Sequence, residues 1–269
     1  MPPAEDDCAV VAFYGIQKDP AGLLRGYRAI VDWFEGLNLS IDKVAVDGKG
    51  FSGKQATYSR LQKRIEKDAF RTIDAISLTA LSHGSTIPVL HWDATADTSP
   101  RRDYTVFAAK TSFVQLSDLA LGCVTKQIVD AITPAYGIGY NRLLGLGPVS
   151  YAIGLLQHGP QIAIPEDDED KHRIARWGTG GSLSGMENQV YRDGLLRDVY
   201  PFNFLSTPQL DRRVERVPLK KWIAGGKNRG QLQEFSAGLS LWTVNEKHRR
   251  GIFEKLWDAG AIFNWRNYL

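Results

Sequence analysis

Several stretches of the sequence carry residue types that could do chemistry. The stretch at 48–54, Gly-Lys-Gly-Phe-Ser-Gly-Lys, has G-x-x-x-x-G-K spacing and follows a predicted strand. Such a loop cradles phosphates when its backbone N–H groups point inward and its Lys reaches the β/γ-phosphates. The next residue must then be Ser or Thr to hold Mg²⁺, and here it is Gln55. No apolar run ends in an Asp that would supply the second metal-holding group. The stretch reads as a tight, basic, solvated loop between a strand and a helix. The glycine run at 178–185 fails the dinucleotide fingerprint, because Leu183 stands where the third Gly belongs and charged loop precedes it. It reads as flexible loop. The acidic cluster Glu166, Asp167, Asp168, Glu169, Asp170 lacks the D-x-D-x-D-G spacing of a calcium loop and reads as a solvated loop, able to meet a basic partner surface.

The five histidines (His83, His91, His158, His172, His248) form no H-x-x-x-H, H-E-x-x-H or Cys/His pairing, so local spacing assembles no metal site. His91 and Asp93 share one face of a predicted strand, a geometry open to a hydrogen-bonded pair; the plainer reading is an outward polar pair with Trp92 inward. No G-x-S-x-G is present for a serine nucleophile. The expectation is therefore of no catalytic residue, no cofactor-binding residue and no metal ligand.

The elements that would position these residues follow from periodicity. The apolar run at 9–16 predicts a buried strand, and Asp19-Pro20 supplies a helix cap followed by Pro at the first helical position. Leu23, Leu24, Tyr27, Ile30, Val31 and Phe34 recur at helical spacing up to Gly36. A strand is expected at 39–46. A helix about Tyr58, Leu61 and Ile65 then carries a basic outer face of Arg60, Lys63, Arg64 and Lys67. Three strands are expected at 73–80, 88–94 and 104–109. Ser112 and Gln115 suggest a capping box opening one long helix from Phe113 to Ile132, with Cys123 on its apolar face. A strand entry follows at 134–140, and 161–185 is the most loop-like region.

The stretch at 197–242 organises the last third. It runs Arg-Asp-Val-Tyr-Pro-Phe-Asn-Phe-Leu-Ser at 197–206 and continues through a helix to Pro-Leu-Lys-Lys-Trp-Ile at 218–223. A Gly-rich basic turn (Gly225, Gly226, Lys227, Arg229, Gly230) and a strand at 238–244 complete it. Ser206, Pro208 and Pro218 punctuate helix starts. Trp222 and Leu219 point to a core, with Lys220 and Lys221 solvated. A final helix is capped by Asn245 and closed by Gly260.

Strands and helices mix without strict alternation, which predicts an α+β fold with a largely antiparallel sheet flanked by amphipathic helices. At 269 residues, the chain reads as one compact unit (1–269), with a subdivision at 1–158 and 186–269 about a loop-rich 159–185 also open. A net charge of +3 is too mild to argue for nucleic acid. Cys8 and Cys123 form no disulfide framework; for Cys8, just before the first strand, an exposed position stays open. The acidic start has no basic or apolar signal region, and no apolar run approaches the roughly 18–20 residues of a membrane span. Cytoplasmic location is the expectation.

The succession of parts resembles the type VI secretion immunity-protein family and its polymorphic-toxin immunity relatives. It rests on Pro134 to Gly137, the turn at 197–205, the short helix at 208–212, the segment at 218–223 and the closing strand and helix. The resemblance covers most of the chain, and no toxin-contacting residue is carried over from it. It implies a bacterial protein without chemistry of its own, binding one cognate toxin encoded beside it. Two other readings stay open: a nucleic-acid-associated protein using Arg60, Lys63, Arg64 and the 220–229 region, and an enzyme with a dispersed site around His91 and Asp93.

Overall fold

A computed structural model of the chain describes residues 6–85, 91–154, 191–236 and 238–263. Its centre is β1 (Asp7–Tyr14), whose continuous apolar run is explained by helices on both faces of the sheet. Val10, Ala12 and Tyr14 enter one core, and Ala9, Val11 and Phe13 enter the other. On one side of β1 lie β6 (Tyr104–Lys110), β5 (Trp92–Ser99), β4 (Ile73–Leu81), β2 (Lys43–Gly48) and the edge strand β3 (Gln55–Thr57). On the other lie β7 (Tyr136–Leu143), β8 (Phe202–Leu205), β12 (Leu239–Thr243) and the edge strand β11 (Gln231–Ser236). Every neighbouring pair in this ten-stranded sheet is antiparallel. The α+β fold is thus as its sequence predicts. Strands from both sides of 159–185 belong to the one sheet, since β7 pairs directly with β8. Residues 159–185 themselves lie outside the described residues.

One face carries α1 (Pro20–Gly36), α2 (Tyr58–Asp68), α3 (Leu116–Leu121) and α4 (Cys123–Ile132). Asp19 caps α1 by accepting from Gly22 N at 2.8 Å, and Leu23, Tyr27, Ile30, Trp33 and Phe34 form its buried stripe. The opposite face carries α5 (Pro148–Ala152), α6 (Thr207–Leu210), α7 (Leu219–Ala224) and α8 (Glu246–Asp258), with a small ladder of β9 (Arg213–Val214) and β10 (Val217–Pro218). Here Ser206 starts α6, its N–H donating to Gln209 Oε1 at 3.0 Å, and Asn245 caps α8.

The structure corrects four expectations. The long helix at 113–132 is two helices. Gly122 is extended (φ −66°, ψ 162°), Thr125 Oγ1 closes the junction by donating to Leu119 O at 2.6 Å, and Phe113 stands exposed before α3. No capping box opens it; the Gln115 side chain donates back to Thr111 O at 2.7 Å. Of the strand expected at 88–94, residues 88–90 lie outside the described residues; the strand seen is Trp92–Ser99, running past the expected end, and its alternating Ala and polar residues fit a strand between two neighbours. The second strand begins at Lys43 and runs to Gly48. Finally, Cys123 is exposed at the start of α4 and not on an apolar face, while Cys8 is buried in β1. β8 and β11 were not anticipated as strands, because each is short and only partly apolar.

Candidate functional site

Among the described residues, the 48–54 loop and Asp93 have polar atoms engaged by the fold. The 48–54 stretch runs from β2 into β3, not into a helix N-terminus. Its amides are spent internally, with Lys49 N donating to Thr72 O at 3.0 Å, Phe51 N to Gly48 O at 3.0 Å and Gly53 N to Val46 O at 2.9 Å. A phosphate cradle needs those donors free. Arg64 from α2 donates to Gly50 O and stacks 4.4 Å over Phe51, locking the loop.

His91 and Asp93 do not form a pair. Asp93 Oδ1 is 3.0 Å from Lys110 Nζ and accepts from Ser82 Oγ at 2.8 Å, while Trp92 turns into the core. Lys110 also reaches Asp6 Oδ2 at 2.8 Å. Burial works against the Lys110 charge, yet the two carboxylates outweigh it and raise its pKa. Nearby, burial and then the carboxylates of Asp7 and Asp6 push the Cys8 thiol up to about 12, which leaves it an inert apolar filler. Among the described residues no group of three or more His, Cys, Asp or Glu side chains converges as a metal site would require. The glycine run at 178–185, the acidic cluster at 166–170, His158 and His172 lie outside the described residues.

Sequence reasoning missed the polar centre of the molecule. Arg197 is 1% exposed. Its Nη1 donates to Ala152 O at 2.9 Å and to Tyr14 Oη at 3.3 Å, its Nη2 donates to Tyr151 O at 2.6 Å, and its guanidinium lies 4.4 Å over the Tyr151 ring. Burial alone would lower the Arg197 pKa, but the ring of tyrosine oxygens (Tyr200, Tyr14, Tyr151, Tyr140) more than offsets it and raises the value. Burial likewise pushes Tyr14 up to about 12 against the pull of Arg197. The following turn is tied by Asn203, whose Oδ1 accepts from Tyr200 N at 2.9 Å and whose Nδ2 donates to Tyr200 O and Trp242 O. This constellation is a brace: it fastens the 197–206 segment to β1, β12 and the end of α5.

Among the described residues, two open clefts lie at the β11 edge, around the basic turn at 225–230. Arg229 holds that turn. It lies 4.1 Å over Trp222, donates to Trp222 O at 2.7 Å, and its own carbonyl accepts from Trp242 Nε1 at 2.7 Å. Gly230 is left-handed (φ +86°), and a Cβ there would sit 2.2 Å from Thr243 O, so only glycine fits. Two open clefts flank the turn. One of about 490 Å³ is lined by Pro201, Lys227, Gln231, Asn245, Lys247 and His248 among others; the second, of about 530 Å³, runs from Ile223 past Lys227 to Gln233. Lys220 and Lys221 are exposed and Trp222 and Leu219 buried, as the helical spacing predicts. The other basic face, on α2, packs at β2 and β3, nine strand steps away. At about 4.8 Å per step the two basic regions stand roughly 43 Å apart across the sheet.

A wide antiparallel sheet covered by helices on both faces, with its polar centre used as a brace and its open clefts at one edge, defines a three-layer α+β protein. No protein-family model matches the chain, and no curated protein matches it. Among solved structures, the Pseudomonas aeruginosa T6SS protein PA0821 shares the fold, with a TM-score of 0.56 over 96% of this chain and 77% of that one, at 10% identity. At that identity the likeness is one of fold. No helix among the described residues is long and apolar enough to cross a membrane.

Proposed function

We propose that this chain is a non-catalytic immunity-type protein of a bacterial type VI secretion system, which binds a cognate protein toxin in the cytoplasm and neutralises it. The observation that carries the reading is the near full-length likeness of fold to a T6SS protein. The immunity role itself rests on the order of parts from 134 to 223, which resembles that of type VI immunity proteins. The character of the surface adds support. Among the described residues, Asp93 is engaged in an ion pair and the 48–54 loop in backbone bonds, whereas the β11 edge offers open clefts and solvated lysines that a protein partner could meet.

The test is co-expression with the toxin domain encoded beside the gene. Restored growth and a 1:1 complex on size exclusion are the expected results. A toxin that kills equally with and without this protein would overturn the proposal.

A further inference from the structure

We infer that the β11 edge takes an extended, acidic segment of a partner protein, added to the sheet as an eleventh strand. The inference rests on the proposed function for the nature of the partner, a protein, but not for the surface itself. An edge strand offers unpaired backbone N–H and C=O groups on its outer side, and proteins usually blunt such edges with short strands, lysines or proline. β3 is blunted in this way, since only Gln55, Ala56 and Thr57 pair. β11 is not: it holds six residues, contains no Pro or Lys, and keeps Gln231, Gln233 and Glu234 exposed. Its register with β12 is regular from Gln231 to Glu234, and the bulge falls beyond, between Glu234 and Ser236. Four residues therefore stay flat enough to template a neighbour.

The charges around this edge select the partner. Arg229 is committed to Trp222 and Glu215, and Glu246 to Arg249. Lys227 and Lys247 line the cleft beside Gln231, and among the described residues neither has an ion-pair partner. Asn245 at the start of α8 opens into the same cleft, adding the positive end of a helix of 13 residues. The acidic residue on the strand itself, Glu234, sits at the bulged end and so directs incoming carboxylates toward Gln231. Main-chain pairing would supply affinity, and Lys227 and Lys247 the preference for acid.

The test is hydrogen exchange of the full chain with two acetylated peptides of about ten residues, one alternating Val and Glu and one alternating Val and Lys. The Val-Glu peptide is expected to slow exchange at 231–236 about threefold or more at low salt, with 55–57 unchanged. The Val-Lys peptide is expected to leave 231–236 unchanged, and the double variant K227E/K247E to exchange the two preferences. Unaltered exchange at 231–236, or equal slowing by both peptides, would overturn the inference. Strand addition without rescue in co-expression would sink the immunity reading and leave this surface standing; rescue without strand addition would do the reverse.

Discussion

Arg197 shows how far a single residue's environment can depart from its type. In the sequence it is one more charge beside Asp198. In the fold its guanidinium bridges carbonyls at Tyr151 and Ala152 to the hydroxyl of Tyr14, a residue 183 positions away. Arg197→Ala leaves Tyr151 O without this donor, although Ala152 O keeps Tyr14 Oη at 2.8 Å. The loss of charge-assisted bonds in a buried site is expected to cost about 3–4 kcal/mol in urea unfolding. Arg197→Lys should recover little of it, because a single ammonium cannot span the same fork. A second residue tests electrostatics in isolation. Asp97 Oδ1 is buried without a hydrogen-bond partner among the described residues, and burial raises its pKa above the ordinary 3.8, opposed by a hydrogen bond from Ser77. Below that ordinary value the carboxyl is protonated whether folded or not. As pH rises through it the unfolded chain releases the proton first, so stability falls until the raised native pKa is passed. Asp97→Asn removes that slope. Its urea midpoint is expected to exceed wild type near about pH 7 and to converge with it toward about pH 4.

Among the elements, the contact of α1 with α4 makes the clearest prediction, because two simple rules give opposite signs. On helix propensity, Gly22→Ala should stabilise α1 by about 1 kcal/mol. In the fold, a Cβ at Gly22 would lie 2.3 Å from Ala131 O, and one at Gly26 would lie 3.1 Å from Ile132 Cγ2. A backbone carbonyl inside α4 cannot move aside as a flexible side chain can, so Gly22→Ala is expected to destabilise by about 1–3 kcal/mol, read from the thermal or urea midpoint. The same contact shows what was legible beforehand. Asp19, Pro20 and the stripe from Leu23 to Phe34 announce α1, since caps and periodicity are local; likewise Asn245 and Gly260 bracket α8. The break at Gly122 was hidden because Phe113, Leu116 and Leu119 keep helical spacing with Val124 and Ile128 across it. β5 runs on to Ser99, beyond the expected 94, because Ala94 and Ala96 are small and their burial depends on β4 and β6 pairing on either side. Cys123 departs from its apolar spacing for the same reason: depth at a helix junction is set by neighbours far along the chain. The brace around Arg197 and the edge at β11 are wholly such properties, and no local spacing encodes them.

At the scale of the whole molecule, the width of the sheet decides between partners. The basic residues of α2 and those of the 220–229 region would suit a polyanion if they formed one surface. They stand instead at opposite edges, roughly 43 Å apart at about 4.8 Å per strand step. Within each group one arginine is already committed, Arg64 to Gly50 O and Arg229 to Trp222 O. Three cations of each group then remain exposed: Arg60, Lys63 and Lys67 in one, and Lys220, Lys221 and Lys227 in the other. A duplex of about 10 base pairs spans roughly 34 Å, too short to touch both. Its affinity, measured by fluorescence anisotropy across a salt series, should therefore fall with a log–log slope of about −2.7 for the three phosphates one group neutralises, or about −3.6 where Lys247 joins Lys227. Reversing Arg60 and Lys63 should leave the contribution of the far edge intact, since the two sites act independently. A slope of about −5 or steeper would mean that both edges grip one duplex. That would require the helical layers to bring α2 and the β11 turn together, which a continuous ten-stranded sheet between them does not allow.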